Sequence, residues 1–336
     1  MSQATRYAIL GDLCEDYIIT SDGEAHCGIL GGDAAFAVVG ARIWSESVSV
    51  TARVGADFPR SALDALLKSG IELSGIRIVE GSSDAIRFYA YLSLEERTEA
   101  NPASHFLRIG QPMPKELLRR QSGQDHPRPL QGPSALELRP ADLLPELFST
   151  NAAHVCPAGR LAHSLLPPRL RELGAKIVTL DAGPTELQPD QSKELSSVVR
   201  GLDAFLASEE EARSLFRPRR PDVWEMAETL SDLGCRVVVL KAGAKGQYVW
   251  DRAGRKRWHV AAYPVHPKDP TGAGSAYCGG FLVGFASRED ALEGALFGSV
   301  SASLVIEGSG ALFALDALPG LAQARLNALR STAKLA

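Results

Sequence analysis

The sequence predicts an α/β protein built on a mainly parallel sheet, and three observations predict it. After Asn151, short apolar runs alternate with amphipathic stretches. Strands fall at Ala153 to Cys156, Lys176 to Leu180, Ala204 to Ala207 and Arg236 to Leu240, with helices such as Leu165 to Leu173 and Val223 to Leu233 between them. That is the order of right-handed βαβ units. Two glycine-containing loops, at Gly31-Gly32 and at Gly272 to Gly274, each open into a helix of small or apolar residues. The 336 residues are 45% hydrophobic and 23% charged, enough to bury a large core in one big domain or two smaller ones. In such a sheet, ligands gather at the carboxyl ends of the strands.

In chain order, Tyr7 to Leu10 is a buried strand ending at Gly11-Asp12. Tyr17 to Thr20 is a second strand, with a hairpin turn at Asp22-Gly23 and Asp16 just before it. Gly28 to Ala41 is a glycine pair opening a small-residue helix. Val48 to Thr51 is a strand, followed by Arg53 to Phe58, and Ser61 to Lys68 is a short amphipathic helix closed by Ser69-Gly70. Ile71 to Val79 and Ala85 to Leu94 alternate as strands, the second with Arg87, Tyr89 and Tyr91 on one side. From Arg97 to Pro140 prolines recur without periodicity, which indicates an insertion or long loop, with partial disorder across Gln121 to Pro133 as the alternative. Val260 to Val265 leads into the glycine-rich stretch at Lys268, and Ser287 to Asp290 reads as a capping box that starts a helix to about Ile306.

The stretch Lys268 to Phe281 carries the strongest chemical signal. Closely spaced glycines followed by an apolar run form a loop opening into a buried helix, so the amides of Gly272, Ala273 and Gly274 point off a helix N-terminus, where anions bind. Two commoner phosphate motifs are excluded. Tyr277 stands where a dinucleotide fingerprint needs glycine, and the chain contains no G-x-x-x-x-G-K-[ST].

This stretch resembles the second signature of the PfkB, or ribokinase-like, carbohydrate kinase family, D-T-x-G-A-G-D, whose last Asp is the general base; here that position is Ser275. Gly28 to Ala41 resembles the first signature, G-G-x-x-x-N before an Ala-rich helix, with the family Asn falling on Phe36. The resemblance runs from Gly11 to about Gly310 in correct motif order. It implies a single ribokinase-like domain: a three-layer sandwich with a mainly parallel central sheet and a small β lid, formed by residues 17 to 30 with Ile71 to Val79 and Ala85 to Leu94.

It also implies an ATP-dependent kinase that phosphorylates a hydroxymethyl group of a sugar, nucleoside or related polyol. Asp16, at the spacing G-x-x-x-x-D from Gly11, and Asp33 would orient the acceptor, with Gly32 and Phe36 beside them. A solvated turn is the other reading of Asp16, and core filling that of Phe36. The Gly272 to Gly274 amides would stabilise the transferring phosphoryl group. Asp269 would fix the loop, and Ser275 is no base near neutral pH without an activator, which makes Asp33 and Asp269 the first carboxylates to test. Glu211, in Ser208-Glu209-Glu210-Glu211, matches the Glu of N-x-x-E that helps hold Mg²⁺, the Asn position being Ser208; an N-cap with an acidic first turn is the alternative. Lys241 to Gly246, including Gly243, resembles the loop along the nucleotide phosphates, though a plain glycine turn looks the same. Small residues Gly298, Ser299, Ser301, Ala302 and Ser303 leave room for an adenine or for a close helix contact.

Net charge of −4 and a pI near 6.0 give no support to nucleic-acid or membrane partners. Five widely spaced cysteines without C-x-x-C read as reduced cytosolic thiols, and no signal or spanning segment is evident, so a cytoplasmic location is expected. A homodimer formed through the lid is a further expectation. Against the kinase stands a different class, a catalytically silent sugar- or nucleotide-binding sensor, motivated by the missing base. Hydride transfer is disfavoured by the missing fingerprint.

Overall fold

A computed structural model of the chain describes residues 7–80, 85–118, 135–145, 152–183 and 192–335; Gln121 to Pro133 lies outside them. Ten strands form the central sheet: β1 (Tyr7–Leu10), β4 (Val48–Gly55), β5 (Glu72–Val79), β8 (Ala152–Val155), β9 (Ile177–Asp181), β10 (Ala204–Ser208), β11 (Val237–Lys241), β12 (Gln247–Asp251), β13 (Lys256–Val260) and β14 (Lys334–Leu335). Their order is β14-β13-β12-β11-β10-β9-β8-β1-β4-β5, parallel from β5 to β11 and antiparallel beyond. The parallel strands are apolar along nearly their whole length because helices cover both faces.

On one face lie α1 (Asp33–Arg42), α2 (Arg60–Lys68), α8 (Ala273–Arg288), α9 (Ala291–Val305) and α10 (Leu321–Arg330), packed on a core that includes Ile9, Val50, Leu206 and Val239. On the other lie α4 (Arg160–Glu172), α5 (Ser192–Val199), α6 (Glu209–Leu215) and α7 (Val223–Asp232), on Ala8, Leu180, Phe205 and Val238. Successive residues of one strand thus feed opposite cores. The stripe of small residues on α9 is used for helix contact. A Cβ on Gly280 would meet Ser301 Oγ at 2.3 Å, one on Gly298 would meet Tyr277 O at 2.7 Å, and Ser301 Oγ donates to Gly40 O at 3.0 Å.

A second sheet of four strands, β3-β2-β6-β7, forms the lid: β2 (Cys14–Ile19), β3 (Ala25–Gly31), β6 (Ile86–Tyr91) and β7 (Arg97–Thr98). Its outer face, with Tyr17, Ile19, Phe88 and Ala90, is covered by Phe106 of α3 (Pro102–Arg108) and by Leu117. Its inner face carries Asp16, Ile18, Arg87, Tyr89 and Tyr91, and the Tyr91 hydroxyl bonds Thr271 Oγ1 at 2.9 Å.

Several expectations from the sequence are corrected. Of residues 71 to 79, Glu72–Val79 is β5, on the edge of the central sheet beside β4 and outside the lid. Alternation marks a strand without naming its partner. Residues 97 to 118 are not loop throughout, since they supply β7 and α3. Strands β12 and β13, which end at Val260, were not read from the sequence. Helix α9 is capped by Asp290, whose side chain accepts from Glu293 N; α8 runs to Arg288, so Ser287 belongs to its last turn.

Candidate active site

The N-terminus of α8 sits at the carboxyl edge of the sheet. Its cap, Gly272, has φ 76, and a Cβ there would lie 2.1 Å from the Phe36 ring. Only glycine serves both demands. Phe36 is buried in the core and pressed on this turn, so its ring shapes the loop from behind. Asp269 is buried with Oδ1 accepting from Thr271 N at 2.9 Å, while its Oδ2 has no hydrogen-bond partner among the described residues. Of the three amides expected to face an anion, Ala273 N–H is taken by Pro270 O at 3.2 Å. The Gly272, Gly274 and Ser275 amides have no acceptor among the described residues, and Gly274 and Ser275, in the first turn of the helix, are donors this terminus offers.

On one flank Lys241, the last residue of β11, places Nζ 2.7 Å from both oxygens of Asp181 at the end of β9, and 3.4 Å from Cys278 Sγ. The pair is dry, with side chains 15% and 5% exposed. Burial acts to discharge Lys241, but Asp181, with Cys278 and Glu211 behind it, offsets this and holds the ammonium charged. Burial pushes the Asp181 carboxyl up to about 6, which leaves it ionised at neutral pH. A Cβ on Gly274 would sit 3.5 Å from Lys241 Nζ, so the cation borders the free amides. Gly243 and Gly246 lie in the turn that follows, with a Cβ on Gly246 blocked by Val260 O at 2.1 Å. Ser208 caps α6: its Oγ accepts from Glu211 N at 3.1 Å, and Glu211 Oε2 accepts from Ser208 N at 2.9 Å. The capping box is therefore formed, and it leaves one Glu211 oxygen outside that box.

On the other flank, carboxylates gather around one arginine. Arg87 of β6 bonds Asp12, in the loop after β1, and reaches Asp33 Oδ2 at 3.2 Å. Asp12 Oδ1 in turn accepts from Asp33 N at 3.1 Å. Ser275 Oγ donates to Asp33 Oδ1 at 2.8 Å. This set is open: the Arg87, Asp12 and Asp33 side chains are 34%, 33% and 25% exposed. Burial alone would raise Asp33, but Arg87, the Ser275 hydroxyl and Lys241 together hold it below its ordinary value. Asp12 goes the other way, raised by burial and by the Asp33 charge against the pull of Arg87.

Asp16 lies within β2, buried, and is no solvated turn residue. Its carboxylate lies over Gly31, where a Cβ would meet Oδ2 at 1.9 Å, and Oδ1 accepts from Cys14 Sγ at 3.2 Å. Burial pushes its carboxyl up to about 7. The room left by Gly32 is filled by Asp12 O, 2.6 Å from where its Cβ would be.

Three residues of this arrangement, Asp12, Arg87 and Asp181, were not singled out from the sequence as site residues. A signal existed for Arg87, a charge on the same face of a strand as two tyrosines. Asp12 and Asp181 look like ordinary strand-end carboxylates until their partners are known.

Residues 150–318 match the family described as pfkB family carbohydrate kinase. The chain is 27% identical over 297 residues to the cytidine kinase of Thermococcus kodakarensis, covering 85% of this chain and 90% of that protein. Among solved structures, the ribokinase of Giardia lamblia superposes with a TM-score of 0.69 at 16% identity, over 97% of this chain and 99% of that one. The fructokinase of Xylella fastidiosa with bound ATP gives 0.68 at 18%, with the same coverages. These structural likenesses carry the fold.

Proposed function

Because the chain belongs to the pfkB family of carbohydrate kinases, we propose that it transfers the γ-phosphoryl group of ATP, as its Mg²⁺ complex, to a hydroxymethyl group of a neutral polyhydroxyl acceptor, a nucleoside or a free sugar. One observation carries this reading: the amides of Gly274 and Ser275 lie between a cation, Lys241, and the carboxylates of the lid side, through Ser275 to Asp33. A phosphoryl group held at the terminus would meet positive charge on one flank and hydroxyl acceptors on the other. Transfer of this kind depends mainly on positioning and on stabilising charge.

Lys241 and the two amides bind the phosphate oxygens. Mg²⁺, when bound with the nucleotide, neutralises charge on those oxygens. Among the described residues no group of three or more His, Cys, Asp or Glu side chains is gathered for a metal. This suits Mg²⁺, which takes one or two carboxylates and completes its shell with phosphates and water; Glu211 is the residue that would hold it. Asp12, Asp16 and Asp33 supply acceptors for hydroxyl donors. With Asp12, Asp16 and Asp33 gathered around Arg87, the site favours a neutral acceptor over a sugar acid or sugar phosphate. The cytidine kinase relative makes nucleosides the first acceptors to test. A carboxylate beside Ser275 weakens the case for a binding-only sensor, which rested on the missing base.

The test is a coupled ADP-release assay with MgATP and a panel of nucleosides, free sugars and sugar phosphates. ADP release that depends on a nucleoside or neutral sugar is expected. Calorimetry showing no MgATP or MgADP binding at millimolar concentration, or binding without transfer to any acceptor, would overturn the reading.

A further inference from the structure

The signature that places a general base at the first turn of the central helix has Ser275 at that position, yet a carboxylate is not absent from the spot. Asp33, the first residue of α1, stands one hydrogen bond away, its Oδ1 accepting from Ser275 Oγ at 2.8 Å. The other nearby acids make no hydrogen bond to Ser275 among the described residues. Asp269 is 1% exposed with Oδ1 on Thr271 N; Asp16 is 1% exposed, lying over Gly31 with Oδ1 on Cys14 Sγ; Asp12 is bonded to Arg87 and to the Asp33 amide. Asp33 alone combines contact with Ser275 and a side chain a quarter exposed, open to an acceptor hydroxyl.

Resting on the kinase reading above, we propose that Asp33 is the general base of the transfer and that Ser275 positions it, the carboxylate having moved from α8 to α1 across their shared hydrogen bond. The acceptor O–H bond breaks and its proton passes to the Asp33 carboxylate. The acceptor oxygen forms a bond to the γ-phosphorus as the bond from that phosphorus to the ADP oxygen breaks. Asp33 then returns the proton to solvent. The Ser275 hydrogen points at Oδ1 and so fixes the carboxylate in place. Arg87 on Oδ2 and Lys241 nearby keep Asp33 ionised, the form that takes a proton, although burial opposes it.

The experiment compares kcat, KM and MgATP affinity of the whole protein with those of D33N, S275A and the double variant D33N/S275D. D33N should lose about 10²- to 10⁴-fold in kcat, the usual worth of a general base, with MgATP affinity by calorimetry almost unchanged. S275A should lose roughly 10-fold or less, since it only loosens the carboxylate. D33N/S275D, which returns the acid to α8, should regain at least about 10-fold over D33N; a merely structural role for Asp33 would not be rescued from the opposite helix. An active D33N, an S275A as damaged as D33N, or a double variant no better than D33N overturns the assignment and leaves the kinase reading intact. A wild-type protein that binds MgATP and phosphorylates nothing removes both. Should D33N not fold, the double variant decides alone: activity within about 10-fold of wild type supports the proposal, and inactivity with MgATP bound overturns it.

Discussion

The two flanks of the α8 terminus are built on opposite electrostatic plans. On the sheet side, Lys241 and Asp181 form one balanced pair, nearly sealed from water. On the lid side, Asp12, Asp33 and Arg87 form an unbalanced set, a quarter to a third exposed. A sealed pair is costly to break and tolerates little variation, because removing one partner strands a charge in low dielectric. An open set with excess carboxylate is less costly to disturb, but its spare lone pairs remain available to a ligand. In the proposed function the sheet side therefore carries structure together with phosphate recognition, whereas the lid side takes the exchangeable partner.

The contrast breaks most sharply at Lys241. Lys241→Met leaves Asp181 buried without its cation and should destabilise the fold by about 3 to 5 kcal/mol, read by denaturant unfolding. Arg87→Met should lose only about 1 kcal/mol at its more exposed site. Lys241→Met combined with Asp181→Leu should recover most of the stability and none of the nucleotide affinity. Equal losses at Lys241 and Arg87 would show that the two flanks do not differ as argued.

Gly272→Ala tests the hinge between the flanks. A side chain at φ 76, driven against the Phe36 ring, should lower stability by about 2 to 4 kcal/mol, summing a left-handed backbone penalty and overpacking. Phe36→Ala alone should cost about 3 to 5 kcal/mol, so the double variant should lose less than the sum of the two single losses by the overpacking share only, and calorimetry should show MgATP binding still weakened. A double variant no less stable than Phe36→Ala alone would mean that the left-handed backbone contributes nothing.

The smallest effect, and the one with a sign to check, belongs to Asp16. Its folded pKa, pushed up to about 7 by burial, lies above the ordinary 3.8. Between about pH 4 and 7 the folded state thus holds a proton that the unfolded state has released, so stability falls as pH rises through that window and levels off above it. Asp16→Asn should abolish this dependence. The variant should melt higher than wild type at pH 8 by up to a few kcal/mol of stability, match it near pH 4, and bind acceptor worse at both. A D16N variant no more stable than wild type at pH 8 would show that Asp16 is better solvated than its position over Gly31 suggests. A gain in stability with a loss in binding is the signature of a residue kept for function.

What the sequence by itself determined is what local chemistry encodes. Apolar runs alternating with amphipathic ones are enough to place the β8 to β11 strands and the helices between them, because hydrophobic period depends on neighbours a few residues away. The glycines at 272 and 274 are likewise enough to announce a loop that opens into a helix terminus. Membership of a strand in one sheet or the other is not local: residues 72–79 and 86–91 alternate alike, yet β5 joins the central sheet and β6 the lid. Burial of a carboxylate is not local either. Asp16 looks like a turn acid until Gly31 and Cys14 close over it. Most of all, the partner of Ser275 lies 242 residues away and that of Arg87 lies 75 away. Only folding brings α1, β6 and α8 together at the edge of the sheet, and a hydrogen bond acts over a few ångströms of space, whatever the length of chain between its ends.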